Sequence, residues 1–320
     1  MNPKIKRILT ITIPLVLGVF LVWYSLSQIS LEQLVGYFKK ADYTFISLGV
    51  FFGLLSHLSR AYRWRFQLQP MGYHIKLGNS VMAVFATYLI NYTVPRAGEV
   101  ARASILTNYE GVPFEKGFGT IVAERIADLI MMFCIIVVTL FLQFDFIYGF
   151  LVEKFNPTKI IMGVFLLLFF GIVFTIFIKR SNLKIALKIK SFVNGLIEGA
   201  LSIFKMKKKW AFIFHTLFIW TMYVLMFYVT SFALEETSYV PFAAILIGFI
   251  AASFSIAATN GGIGSYPEAV VLAFTLFNIP EDPSRAFGWI MWGSQTLLII
   301  VFGGLSLIYL PIFNRKKAIK

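Results

Sequence analysis

Glu124, Arg125 and Asp128 place two carboxylates and a guanidinium close together in a segment, 118–144, that is otherwise almost wholly apolar. Glu124 and Asp128 lie four residues apart and share one helical face; Arg125 precedes Asp128 by three and can reach it. Ionisable groups at such a depth face a bundle interior or a watery cavity and mark functional positions. Two compatible readings stand. The charges lock this helix to a neighbouring hairpin, with Arg96 or Arg102 as partners, or they line a cavity that takes a lipid head group.

Two short breaks in apolar sequence carry the remaining chemistry. The first is Asn91-Tyr92-Thr93-Val94-Pro95-Arg96-Ala97-Gly98-Glu99-Val100-Ala101-Arg102. Pro95 stops a helix, because it lacks an N–H and disfavours helix before it, and Gly98 permits a tight reversal. A helix starting there would offer N–H groups to an anion. Arg96 and Arg102 add guanidiniums suited to phosphate, and Glu99 can pair with either or meet a cationic head. The second break is Thr259-Asn260-Gly261-Gly262-Ile263-Gly264-Ser265-Tyr266-Pro267-Glu268. Asn260, Gly261, Gly262 and Gly264 predict a flexible tip, Pro267 suits a first helical turn, and Glu268 sits near that N-terminus. Irregular, charged backbone inside a bilayer persists only where protein or water surrounds it.

The elements that must hold these groups are helices. Of 320 residues, 58% are hydrophobic and 14% charged, with a mean hydropathy of +0.79. These values describe an all-α polytopic membrane protein and exclude an ordinary soluble enzyme fold. Spans are expected at 8–28, 44–58 (extended to Phe66), 118–144, 160–178, 210–234 and 285–311. The N-terminal run reads as a retained first span. The pairs 79–94 with 99–108 and 241–258 with 266–278 have second arms too short to cross, and are expected to be re-entrant hairpins. Two full spans in place of either pair would leave the same parity. One transmembrane domain, 1–320, then divides into halves of opposite orientation, about 1–150 and 151–320, an inverted-topology repeat. Amphipathic helices on the membrane surface are expected in both halves, from Leu31, Leu34, Val35 and Phe38, and from Ile185, Ile189, Phe192, Val193 and Leu196.

The net charge of +14 does not indicate nucleic acid. Most of the 29 Lys and Arg fall in clusters at Lys4–Arg7, Arg60–Lys76, Lys179–Lys209 and Arg315–Lys320. All four are assigned to the cytoplasm, so both termini of a multi-pass cytoplasmic (inner) membrane protein lie inside. Arg60, Arg63 and Trp64 end the second span, where such residues anchor a helix in the interface or bind head groups. His57, His74 and His215 lack metal-ligand spacing, no Ser has triad partners, and Gly-Gly-Ile-Gly lacks a nucleotide fingerprint. No cofactor and no catalytic residue is expected. The single Cys134 implies no disulfide.

The ordered set Arg60 to Trp64, Asn91-x3-Pro95-Arg96-x-Gly98-Glu99-x2-Arg102, Glu124-Arg125-x2-Asp128 and Gly261-Gly262-x-Gly264-x3-Glu268 resembles the transmembrane region of lysylphosphatidylglycerol synthase. That region is the flippase domain of the multiple peptide resistance factor. The resemblance covers about residues 5–312. It implies lipid translocation, with an anionic or aminoacylated phospholipid as partner, or a related role with a polyprenyl-linked or other lipid. The aminoacyl-transfer domain of the bifunctional relatives has no counterpart before Lys320, so the resemblance does not imply that enzyme activity. A membrane-embedded transferase for a lipid-linked substrate is the competing reading. A separate lipid-modifying enzyme or a second copy of the chain is a further expected partner.

Overall fold

The computed structural model describes residues 3–94, 96–154, 157–181, 183, 185–187, 189–190 and 206–315. Pro95, most of the second amphipathic stripe and Lys316–Lys320 lie outside them. Among the described residues every regular element is helical. In chain order these are α1 (Pro3–Ser27), α2 (Leu31–Lys40), α3 (Tyr43–Leu68), α4 (Leu77–Thr93), α5 (Ala97–Glu110), α6 (Phe114–Leu142), α7 (Phe144–Lys154) and α8 (Pro157–Arg180). They continue with α9 (Lys209–Thr230), the one-turn α10 (Glu235–Ser238), α11 (Phe242–Ala258), α12 (Ser265–Thr275) and α13 (Glu281–Phe313).

Helices are long and apolar enough to cross a bilayer at Tyr43–Met71, Phe114–Leu142, Lys209–Ala233 and Glu281–Phe313, by length and composition. The run expected at 160–178 lies within α8, a helix of 24 residues. At 1.5 Å per residue, α5 with 14 residues and α12 with 11 reach about 21 and 16 Å, against a hydrocarbon core about 30 Å thick.

Local sequence explains the helix starts. Ser30 and Gln33 form a reciprocal capping box at α2, and the Asp42 carboxylate accepts the Thr44 N–H at 2.8 Å to cap α3. The stripe on α2 divides: Leu34 is buried and α2 packs against α13, while Leu31 stays 71% exposed.

By backbone contacts the chain forms two compact units, one of 1–124 with 207–320 and the other of 125–206. In the first, α3 runs antiparallel to α9. Gly49 and Gly53 let α9 close in, since a side chain at either would meet Thr230 or Met226. Helix α4 runs antiparallel to α13, with Gly303 against Leu89 and Gly78 against Phe313. Trp64, Leu68, Met82, Ala83, Leu106 and Ile121 form a core under the first hairpin. Phe227, Phe274 and Phe287 pack ring to ring under the second. In the second unit, α7 packs against α8.

Both hairpins form as helix pairs, α4 with α5 and α11 with α12, but their turns differ from the expected chemistry. In the first, the left-handed residue is Arg96, at φ 59°. Gly98 lies inside α5 and is needed for close approach, because a Cβ there would collide with the Thr87 carbonyl. In the second, Gly261, Gly262 and Gly264 all have positive φ, at 66°, 80° and 70°. The tip is pinned rather than loose. The Gly262 N–H donates to Thr259 Oγ1 at 3.1 Å, and Gly264 lies against the α1 backbone at Leu21 and Val22.

Crowding at Gly264 gives a paired test. Gly72 has a similar φ of 84° but open space around it. Gly264→Ala is expected to lower stability by about 2–4 kcal/mol and Gly72→Ala by about 1–2 kcal/mol. Thermal unfolding of the two variants in detergent checks the difference.

Candidate functional site

Glu124 is the centre of the first charged cluster. It lies on α6 with no exposed surface, and accepts from Arg102 Nη1 of α5 at 2.5 Å and Arg63 Nη2 of α3 at 3.2 Å. Arg63 Nη1 also donates to Thr216 Oγ1 of α9 at 2.7 Å. One carboxylate therefore ties together α3, α5 and α6, and through Arg63 reaches α9. Trp64 completes the arrangement. Its indole N–H donates to Thr120 Oγ1 at 2.8 Å, and the Arg102 guanidinium stacks over its ring at 3.7 Å from the centroid. Cation–π stacking suits the weakly hydrated guanidinium in a dry site.

This geometry corrects the reading of Arg60, Arg63 and Trp64 as interfacial anchors. All three are buried within the helix bundle. Arg and Trp near a helix end suggest interface by composition, but this end of α3 is surrounded by α4, α6 and α9. Of the two arginines expected beside Glu124, Arg102 makes the contact, while Arg96 is exposed at the hairpin turn. The partner of Glu99 is Asn91, whose Nδ2 donates to it at 3.3 and 3.4 Å. The Asn91 carbonyl oxygen accepts the Gly98 N–H at 2.8 Å. Asn91 thus caps α5 from inside the hairpin, using an N–H otherwise expected to await an anion. In the second compact unit, Arg125 and Asp128 approach to 3.6 Å as an i,i+3 pair.

The second cluster surrounds Arg285 of α13, a residue the sequence reading passed over. Arg285 Nε donates to Glu268 Oε1 of α12 at 2.8 Å, and Glu281 and Asp282 approach it at 3.4 and 3.7 Å. Ser25 of α1 donates to Glu268 at 2.6 Å and accepts from Trp289 Nε1 at 3.2 Å. Pro267 packs against Gly288, holding α12 and α13 in the register this ion pair needs. The spacing of Arg285 after Glu281 is an i,i+4 signal on one helix, and was the available clue.

The hairpin tips meet. The Tyr92 ring at the end of α4 occupies the space a side chain at Gly261 would need. The Gly261 carbonyl accepts from Trp292 Nε1 at 2.8 Å, and the Tyr92 hydroxyl lies 3.3 Å from Thr296 Oγ1. No group of three or more metal-ligating side chains occurs among the described residues.

Spanning helices around buried ion clusters define a multi-pass α-helical membrane protein. Residues 11–304 match the lysylphosphatidylglycerol synthase TM region family, and the chain belongs to it. UPF0104 membrane protein MJ1595 of Methanocaldococcus jannaschii is 25% identical over 308 residues, 86% of this chain and 87% of that protein. UPF0104 membrane protein PH1989 of Pyrococcus horikoshii is 25% identical over 163 residues, 50% of this chain and 45% of the relative. Glycosyltransferase AglD of Haloferax volcanii is 28% identical over 130 residues, 40% of this chain but only 21% of that protein.

The two ion clusters should differ in stability on mutation. Removing one partner of a fully buried pair leaves an uncompensated charge, so Glu124→Ala is expected to lower stability by about 3–5 kcal/mol. Glu268 is 20% exposed and its contacts are correspondingly screened, so Glu268→Ala should lower it by about 1–2 kcal/mol. Thermal or denaturant unfolding in matched detergent checks the order.

Proposed function

We propose that this protein moves a polar-headed phospholipid or related lipid across the cytoplasmic membrane. The observation that carries the reading is the wholly buried Glu124 between Arg63 and Arg102 in a chain of apolar helices. Guanidiniums bind carboxylate and phosphate in the same forked geometry. A lipid phosphate can therefore replace the Glu124 carboxylate at either arginine. The exchange trades one charge-assisted contact for another, without stranding a bare charge in the bundle. Membership of a family named for a lipid synthase's transmembrane region supports a lipid substrate.

An apolar groove of about 360 Å³ lies between α3, α4 and α9, lined by Leu55, Leu58, Val81, Phe214 and Phe218. Its polar edge is Ser59 hydrogen-bonded to His215 Nδ1 at 2.8 Å, and His215 adjoins Thr216, the partner of Arg63. Such a groove accepts a hydrocarbon chain while the head group meets the arginines. Cytoplasmic termini follow from the basic clusters. The match to AglD favours a second reading, a transferase acting on a lipid-linked substrate within the membrane. The exposed Arg96 would then serve head-group recognition away from Glu124.

Reconstitution into vesicles with head-group-labelled phosphatidylglycerol tests transport. Wild-type protein is expected to accelerate exchange between leaflets, and an Arg102→Gln, Glu124→Gln double variant to slow it about tenfold or more. Exchange no faster than in protein-free vesicles would overturn the transport reading. Product formation from a lipid-linked sugar donor by the purified protein would establish the second.

A further inference from the structure

A continuous row of polar and aromatic side chains joins the two charged clusters. It starts at Arg63 and Arg60 on α3 and passes to His57, one turn back on the same face. The His57 ring lies 4.7 Å from that of Tyr88 on α4. Tyr92 follows Tyr88 by one turn, and its hydroxyl approaches Thr296 of α13 at 3.3 Å. From there Thr296, Trp292, Trp289 and Arg285 follow one another at helical spacing down one face of α13. The Trp292 and Trp289 rings are 5.6 Å apart, and Trp289 reaches Ser25 and through it Glu268. The stretch from Arg285 to Thr296 alone covers about 16 Å, half a hydrocarbon core.

Polar atoms along this row are left without partners. His57 Nδ1, Asn260 Nδ2 and Gln295 Nε2 are buried and make no hydrogen bond among the described residues. His57 is only 7% exposed and Asn260 only 6%. Gln295 adjoins Thr296 and touches Gly53, one turn from His57; Asn260 adjoins Gly261 beneath Tyr92. A buried, unsatisfied polar group costs about 1–3 kcal/mol, so three of them along one path call for an occupant. The two amide nitrogens are donors, and no carboxylate occurs between Arg60 and Trp289 along the row. The path therefore takes acceptor oxygens.

Resting on the transport reading, we infer that this row is the lane along which a lipid's phosphate-bearing head group crosses, in company with water. The Tyr92 ring on Gly261 is its closure in the present conformation. Arg63 with Arg102, and Arg285, are the cationic stations at its two ends. Asn260, Gln295 and His57 replace water around the phosphate between them, and the aromatic rings shield it from the lipid tails.

Thiol accessibility in vesicles tests the lane independently of transport. In a Cys134→Ser background, Gln295→Cys and Thr296→Cys are compared with Leu297→Cys, whose native side chain is 62% exposed on the outside of α13. A small charged thiosulfonate reagent is expected to modify the first two faster by about tenfold or more. Short-chain phosphatidylglycerol should slow that reaction, and glycerol phosphate should not. Equal rates at all three positions would overturn the lane. Equal protection by glycerol phosphate would overturn the lipid as its occupant. Gln295→Leu is the second arm, expected to slow head-group exchange about tenfold while thermal unfolding stays cooperative. Wild-type exchange in Gln295→Leu rejects the lane and leaves transport standing. Protected labelling without any exchange in wild-type vesicles rejects transport and leaves the binding lane standing.

Discussion

Glu124 accepting from Arg63 and Arg102 is the interaction on which the arrangement of the first hairpin depends. It joins α5, the short second arm, to α6 and to α3, and Trp64 seals it by stacking on Arg102 while anchored to Thr120. Well-packed apolar residues of similar volume fill such space with equal or better stability. Stability alone therefore does not account for these charges. What the ionic solution adds is exchangeability, since a guanidinium can trade a carboxylate for a phosphate and an apolar contact cannot. The cluster that holds the hairpin and the cluster proposed to meet the lipid are the same atoms.

The second hairpin repeats the device with the charges exchanged. In the first, a cation on the second arm (Arg102) meets an anion on the following helix (Glu124). In the second, an anion on the second arm (Glu268) meets a cation on the following helix (Arg285). Both put a short helix under the control of one ion pair. Their settings differ: Glu124 is sealed, whereas Glu268 is partly open and backed by Glu281 and Asp282 at the end of α13. In the proposed transport, the carboxylates crowding Arg285 would make it the weaker station for an anionic head.

Much of the helical framework was legible because apolar runs of span length, interrupted by Gly, Pro and charge, have few solutions in lipid. Arg102 beside Glu124 was legible because they flank one short connection. Arg63 was misread because its partner lies 61 residues away, and a basic residue beside Trp has the composition of an interface. Gly98 was credited with a turn that Arg96 makes, since sequence alone does not separate a glycine needed for φ from one needed for close approach. Arg285, Trp289, Trp292 and Thr296 keep strict helical spacing, but that pattern equally describes an ordinary buried face. Only the contacts with Tyr92, Gly261 and Ser25 distinguish it.

The contacts also constrain how the tips can part. At its far end α4 is knotted to α13 by reciprocal amide bonds between Asn79 and Asn314, at 3.0 and 2.7 Å, and Asn79 donates as well to Glu110 of α5. These groups are buried, so breaking them exposes unsatisfied amides. Near its tip, α4 meets α13 and the second hairpin through the Tyr92 ring and one long hydroxyl contact. The charged groups near the tip, Arg96 at the turn and Glu99 held by Asn91, belong to the first hairpin itself. Neither hairpin's ion pair to its following helix involves Tyr92 or Gly261, so parting those two residues would not in itself break either pair. On the proposed lane, a path opened there would leave each buried charge with a counter-ion, which is the condition for charges to survive so deep in an apolar bundle.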